Sequence, residues 1–271
     1  RDGGNNTRGD GKDNIHLSHL RLFNGDYYRH GSFNNQWYLK VNSPAECSLI
    51  RFNAGGSNIH VHHTAASSMQ KWVFLRTGPF ENVYIYDNWV ERMYLGFYSQ
   101  LGNETMNNLH IENNRFINSA KGHSNWKPPK NGGINIIELL GADNGGNARS
   151  QNVVIQNNTI EAMSHPGPQQ NDLVGRDPVG GACEPTIIKS FMSLSSMDNF
   201  QVVDNTMTQD SGNSVVGPNK GIVLGAQLRN GTIQNTLTNI KGTPETVPSN
   251  LPISVTVDNE IRTENIPSCA S

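Results

Sequence analysis

The chain has 271 residues, 21 Lys+Arg against 23 Asp+Glu and a net charge of −2, without the basic stripe that a nucleic-acid reader needs. No apolar run approaches the roughly 18 residues of a membrane helix. Asparagine is the outlier at 36 residues, with 27 Gly beside it, a supply of turn-forming and left-handed-tolerant residues for which a helical bundle has no use.

One motif recurs along the chain: Asn, apolar, any, apolar, any, Asn or Asp, Asn, any, apolar. In order, the copies are NIHLSHLRL from 14, NIHVHHTAA from 58, NVYIYDNWV at 82–90, NLHIENNRF at 108–116, NVVIQNNTI at 152–160, NFQVVDNTM at 199–207, GTIQNTL from 231 and VTVDNEI from 255. The central apolar residues, Leu17, Val61, Ile85, Ile111, Ile155, Val202, Ile233 and Val257, are 44, 24, 26, 44, 47, 31 and 24 residues apart. A shortest period near 24 with variable insertions is the signature of a solenoid; propeller blades need longer and more even periods. The period-2 alternation inside each copy predicts a strand with one buried face, and the apolar residue beyond the second Asn opens another strand after a tight bend. A further apolar stretch precedes most copies: SLIRF (48–52), WVFLR (72–76), LGFYS (95–99), INIIE (134–138), IIKSFM (187–192) and GIVLG (221–225).

Three short strands per coil, stacked on their equivalents in the next coil, describe an all-β parallel β-helix of about eight coils, a single domain over 1–271 and a rod of roughly 40 Å at the interstrand spacing. Asn88, Asn114, Asn158 and Asn205 recur at one bend. They are expected to adopt the left-handed conformation there and to pass side-chain hydrogen bonds from coil to coil as an asparagine ladder. The repeat unit resembles that of the right-handed parallel β-helix proteins of the pectate-lyase-like superfamily, and the resemblance covers nearly the whole chain. It implies an extracellular or cell- or virion-surface protein that binds, and in the lyase-type reading cleaves, an acidic polysaccharide. The rival reading is a non-catalytic rod such as a spike, fibre or filament subunit. None of the superfamily's familiar catalytic signatures is present. Arg29-His30-Gly31 is similar to the R-H-G of alginate-lyase and chondroitinase-B type enzymes, but no catalytic residue is carried over from any of these families.

Long connections at 25–47, 119–132, 163–185, 209–219 and 241–252 mostly follow the strand after the bend, with another at 139–151. They therefore flank the next strand, whose outward face is the expected ligand groove. Alternation along that strand turns Arg51, Phe74, Arg76, Tyr98, Asn135 and Glu138 outward, with Lys189 in the next coil. Arg76, Tyr98, Glu138 and Lys189 are the candidate catalytic residues, since Tyr or Lys can move protons and Arg or Lys can hold a carboxylate. Arg51 is a candidate binding residue, as are His123, Trp126, Lys127 and Lys130 in one insertion and Arg176 in the next, where an indole and cations suit an acidic sugar.

His60 and His62 share an outward face beside His63, the most metal-like cluster, but spacing supplies no third ligand. They are read instead as a stacked row with His16, Tyr84 and His110, and no metal site is assigned. No cofactor is called for; a calcium ion is chemically compatible, yet no motif indicates one. Cys47, Cys183 and Cys269 lack metal-ligand spacing and can form at most one intrachain pair. The opening residues are too polar for a signal peptide. A chain starting at Arg1 reads as a processed or excised piece without an N-terminal cap, whose first coil is expected to be covered by residues upstream or by another subunit stacked end to end as a homo-oligomer; the opposing reading is a cover from Phe33, Trp37 and Tyr38 in 25–47.

Overall fold

In the computed structural model the described residues are 7–9, 13–23, 48–67, 71–91, 95–102, 104–117, 134–140, 150–162, 165–166, 183–184, 188–210, 220–240 and 242–266. All regular elements among them are strands. No helix is long and apolar enough to cross a membrane.

The strands fall into eight turns of the chain. The first holds β1 (Thr7–Gly9), β2 (Ile15–Ser18) and β3 (Arg21–Phe23). The second holds β4 (Ser48–Phe52), β5 (Gly56–His62) and β6 (Ala65–Ser67). Next come β7 (Lys71–Arg76), β8 (Phe80–Tyr86) and β9 (Trp89–Glu91), then β10 (Leu95–Gln100), β11 (Met106–Glu112) and β12 (Arg115–Ile117). The fifth coil contains β13 (Ile134–Leu140), β14 (Ser150–Gln156) and β15 (Thr159–Ala162). After it, β16 (His165–Pro166) and β17 (Cys183–Glu184) form a short antiparallel pair. The sixth and seventh coils contain β18 (Ile188–Leu194) with β19 (Met197–Gln209), and β20 (Lys220–Leu224) with β21 (Arg229–Thr238). The last has β22 (Thr243–Thr246), β23 (Val255–Val257) and β24 (Glu260–Arg262).

Equivalent strands of successive coils pair in parallel, which makes the molecule a parallel β-helix. The first ladder runs β1-β4-β7-β10-β13-β18-β20-β22. Second and third ladders are built from the two strands on either side of the bend. They merge into one sheet because β19 and β21 continue through the bend and pair on both sides of it. Leu17, Val61, Ile85, Ile111, Ile155, Val202, Ile233 and Val257 are register partners throughout. The six middle members are fully buried. On the third ladder Ala66, Val90, Phe116, Ile160, Met207 and Leu237 fill the other side of the same interior.

The bend carries the ladder. Asn88, Asn114, Asn158 and Asn205 each donate both the backbone N–H and the side-chain amide to the Oδ1 of the next member. The series extends through Asn235 to Asn259, and Thr64 begins it by donating to Asn88. The left-handed residue, however, is the one before each ladder asparagine: Asp87, Asn113, Asn157 and Asp204 have φ of 54, 55, 53 and 57°. The division follows from the geometry, since the left-handed residue turns the chain while its successor points inward, where its amide can replace missing backbone partners. The Asn that opens each of the first six copies, and Asn230 just ahead of the seventh, is left-handed too, with φ of 59, 52, 56, 62, 53, 53 and 49° at Asn14, Asn58, Asn82, Asn108, Asn152, Asn199 and Asn230. Some of these also bond between coils, as Asn58 does to Asn14 at 2.6 Å and Asn108 to Asn82 at 2.7 Å.

Two further expectations change. The polar opening segment contributes β1, and the supposed insertion at 241–252 contains β22, so the first ladder has two strands that no apolar run announced. Backbone pairing with one neighbour suffices to make an end strand. The long connections after β3, β12, β15 and β19 all lead from the third ladder back to the first, and 141–149 joins β13 to β14. Phe33, Trp37 and Tyr38 lie outside the described residues.

Candidate functional site

Along the first ladder, the register aligns Arg8, Arg51, Phe74, Tyr98, Glu138, Ser193, Val223 and Thr246 in one file across the eight coils. Three residues singled out by sequence, Arg51, Tyr98 and Glu138, are therefore brought together. Arg76 is not in that file; it pairs with Gln100, two positions further along the strand. Lys189 falls in a register shift, between Ile188 opposite Ile134 and Ser190 opposite Asn135, four residues before the file position at Ser193. An extra residue in the bulge removes it from the expected row. His123, Trp126, Lys127, Lys130 and Arg176 lie outside the described residues.

Strict alternation also fails where the ladder begins. Trp72 and Val73 are both fully buried, and so are Ile136 and Ile137. Two consecutive inward residues at the corner put positions three apart on the same face. Lys71 thus joins Phe74, its ammonium 4.3 Å from the Phe74 ring centroid and 5.1 Å from that of Tyr98. Asn135 likewise joins Glu138, donating to its carboxylate at 3.0 Å and accepting from the Ser190 hydroxyl. Arg51 is 5.4 Å above Phe74 and donates to Asn53, while the Phe74 and Tyr98 rings lie 4.9 Å apart, tilted. The surface thus grades from cations over two aromatic rings to a carboxylate braced by an amide. Lys71 was missed because WVFLR looked like a strand starting at Trp72; the signal was the doublet of large apolar residues that follows it.

The second ladder carries the histidines. His16 stacks on His60 at 4.4 Å, His60 on Tyr84 at 4.7 Å, and Tyr84 leans on His110 at 5.0 Å, the row read from the repeat. Alongside, His62 stacks on Tyr86 at 4.8 Å and His19 on His63 at 5.3 Å. Burial, and then the neighbouring charges of His16 and His62, lower the pKa of His60. His62 is lowered by burial and then by His63, His19 and His16, against Asp87. The outer nitrogens are already engaged: His60 Nε2 meets Asn58 at 3.0 Å, His110 Nε2 meets Asn108 at 2.8 Å, and His62 Nδ1 is 2.9 Å from His63 Nδ1. Among the described residues, no three His, Cys, Asp or Glu side chains converge in a way that could hold a metal ion.

No family model, curated protein or solved structure matched this chain.

Proposed function

We propose that this is an extracellular or surface β-helix that binds an acidic polysaccharide along the first ladder and cleaves it by β-elimination, in keeping with the resemblance of its repeat to the pectate-lyase-like superfamily. The observation that carries this reading is the aligned file Arg51-Phe74-Tyr98-Glu138 with Lys71 over both rings. In the reaction, the proton beside a uronate carboxylate is removed, a carbon–carbon double bond forms, and the glycosidic oxygen leaves with a proton. Arg51 and Lys71 supply positive charge for the carboxylate, whose negative charge grows as the proton departs. The Tyr98 phenol transfers the proton, and Arg76, two positions further along its strand, flanks the chain of sugars. The test is incubation with a panel of acidic and neutral polysaccharides, following unsaturated ends by ultraviolet absorbance and reducing ends chemically. Tyr98→Phe and Lys71→Met are each expected to lower turnover at least about 100-fold while the melting temperature stays nearly unchanged. Full activity in both would remove these residues from the mechanism.

A non-catalytic rod is the second reading, favoured by the 7% exposure of Lys71, which already covers both rings. It predicts neither turnover nor retention on any polysaccharide.

A further inference from the structure

Outside the bend of the first coils is an open cleft of about 660 Å3, lined among others by His19, Arg21, His63, Ala65, Trp89 and Arg115. Its origin is a gap in a stack. On the third ladder Arg21, Ala65, Trp89 and Arg115 occupy one register position in four successive coils. Arg115 lies over the Trp89 ring, 4.7 Å from its centroid, and is held by Glu161 at 3.0 Å; the indole N–H donates to Glu91 at 3.2 Å. The second ladder's equivalent file has a ring in each of these four coils, at centroid spacings of 4.4, 4.7 and 5.0 Å. Here the second coil has only the Ala65 methyl. Arg21 and Trp89 are therefore two coils apart, about 9–10 Å at the interstrand spacing, and the space between them is one ring thick. Trp89 is 43% exposed, and Arg21 is exposed as well. His19 and His63 stack at the rim, and Asp87, the one carboxylate among the described lining residues, is 4.0 Å from His63 Nε2.

We infer that the slot above Ala65 is a second binding site, taking one pyranose ring of an acidic sugar between Arg21 and Trp89. The sugar's C–H face lies on the indole, which Arg115 and Glu91 hold in place, and its carboxylate meets the Arg21 guanidinium. The choice of an acidic sugar rests on the acidic-glycan reading of the first ladder, whereas the ring-thick slot rests on the register alone. The site lies at the bend between the second and third ladders, on a different face from the groove, so one glycan chain could be held there while another occupies the groove.

A galacturonate trimer and its methyl ester, which has the same shape without the charge, are the probes, and Trp89 emission is the readout, with Trp89→Phe giving the background from the other indoles. The acidic trimer is expected to change the emission saturably and the ester to bind at least tenfold more weakly. Ala65→Phe, which completes the stack, and Arg21→Ala should each weaken the acidic trimer at least tenfold. Thermal unfolding checks that both variants are folded, and Trp89→Ala, read by calorimetry, should lose the same site if Ala65→Phe does not fold. Trimer binding that survives Ala65→Phe overturns the slot, and equal binding of the ester overturns the acidic assignment. The same titration on Tyr98→Phe separates this site from the groove. Loss of turnover there with an unchanged Trp89 response supports two sites, while a Trp89 response abolished by Tyr98→Phe overturns the slot as an independent one.

Discussion

Asn158 shows how much one side chain carries in this architecture. Its oxygen accepts from the Asn114 backbone and side chain, and its amide donates to the Ile111 carbonyl at 2.8 Å and to Asn205 at 2.8 Å. With 1% exposure, no water replaces these partners. Asn158→Ala is therefore expected to cost about 1–3 kcal/mol in urea unfolding, the penalty for stranding buried polar groups. The histidine rows make a separate prediction about pH. Because the folded-state pKa values of His60 and His62 are lowered from 6.5, the unfolded chain binds protons more readily. Stability from these groups is present above that value and is lost as pH falls through it toward the folded values. The facing groups are His16, His19, His63, Tyr84, Tyr86 and Asp87, and only Asp87 opposes the loss. The melting temperature should drop between pH 7.5 and 5.5, and His60→Gln should make that drop smaller. An unchanged pH dependence in the variant would show that the His16–His60 stack is not the sensitive element.

At the scale of the element, the corner into the first ladder decides what the groove displays. Buried doublets at Trp72-Val73 and Ile136-Ile137 turn Lys71 and Asn135 back onto the outer face. In the coil between them the corner position is Gly96. A methyl group there would come within 2.6 Å of the Phe116 ring and 2.9 Å of the Ile136 carbonyl, so glycine is what allows the third-ladder ring to fill the interior opposite β10. Gly96→Ala should destabilise by about 1–3 kcal/mol through overpacking. The double variant with Phe116→Leu should recover part of the loss, measured as a non-additive double-mutant cycle. Additive losses would mean that the strain falls on the Ile136 carbonyl instead.

Over the whole molecule, stability is distributed by coil, each one held by its neighbours. The strand β14 is paired on both sides, by β11 and β19, while among the described residues β23 and β24 each pair with β21 alone. Amide hydrogen exchange should follow this order, with protection at Ile155 exceeding that at Val257 and Ile261 by at least about 100-fold, because local opening of an end coil breaks one interface rather than two. Uniform protection from β14 to β24 would instead indicate a single cooperative unit.

The period-2 alternation and the recurring Asn pair determined the β-helix, the eight in-register central residues and four members of the ladder, Asn88, Asn114, Asn158 and Asn205, while its extension to Asn235 and Asn259 came from the structure. These are local patterns repeated at a period too short for a propeller blade, with the strand alternation and the paired Asn of each copy pointing to stacked β-coils. Position along the first-ladder strand was only partly legible: Arg51, Tyr98 and Glu138 align, because simple alternation holds in the middle of those strands. Lys71 was missed and Lys189 misplaced because of features that a one-dimensional alternation cannot contain, a buried doublet at a corner and a bulge set by the partner strand. Arg21, Ala65, Trp89 and Arg115 hold the eighth position of the first four motif copies, so their alignment was contained in the repeat. That the small side chain at Ala65 leaves an open cleft there was decided by the packing of the coils.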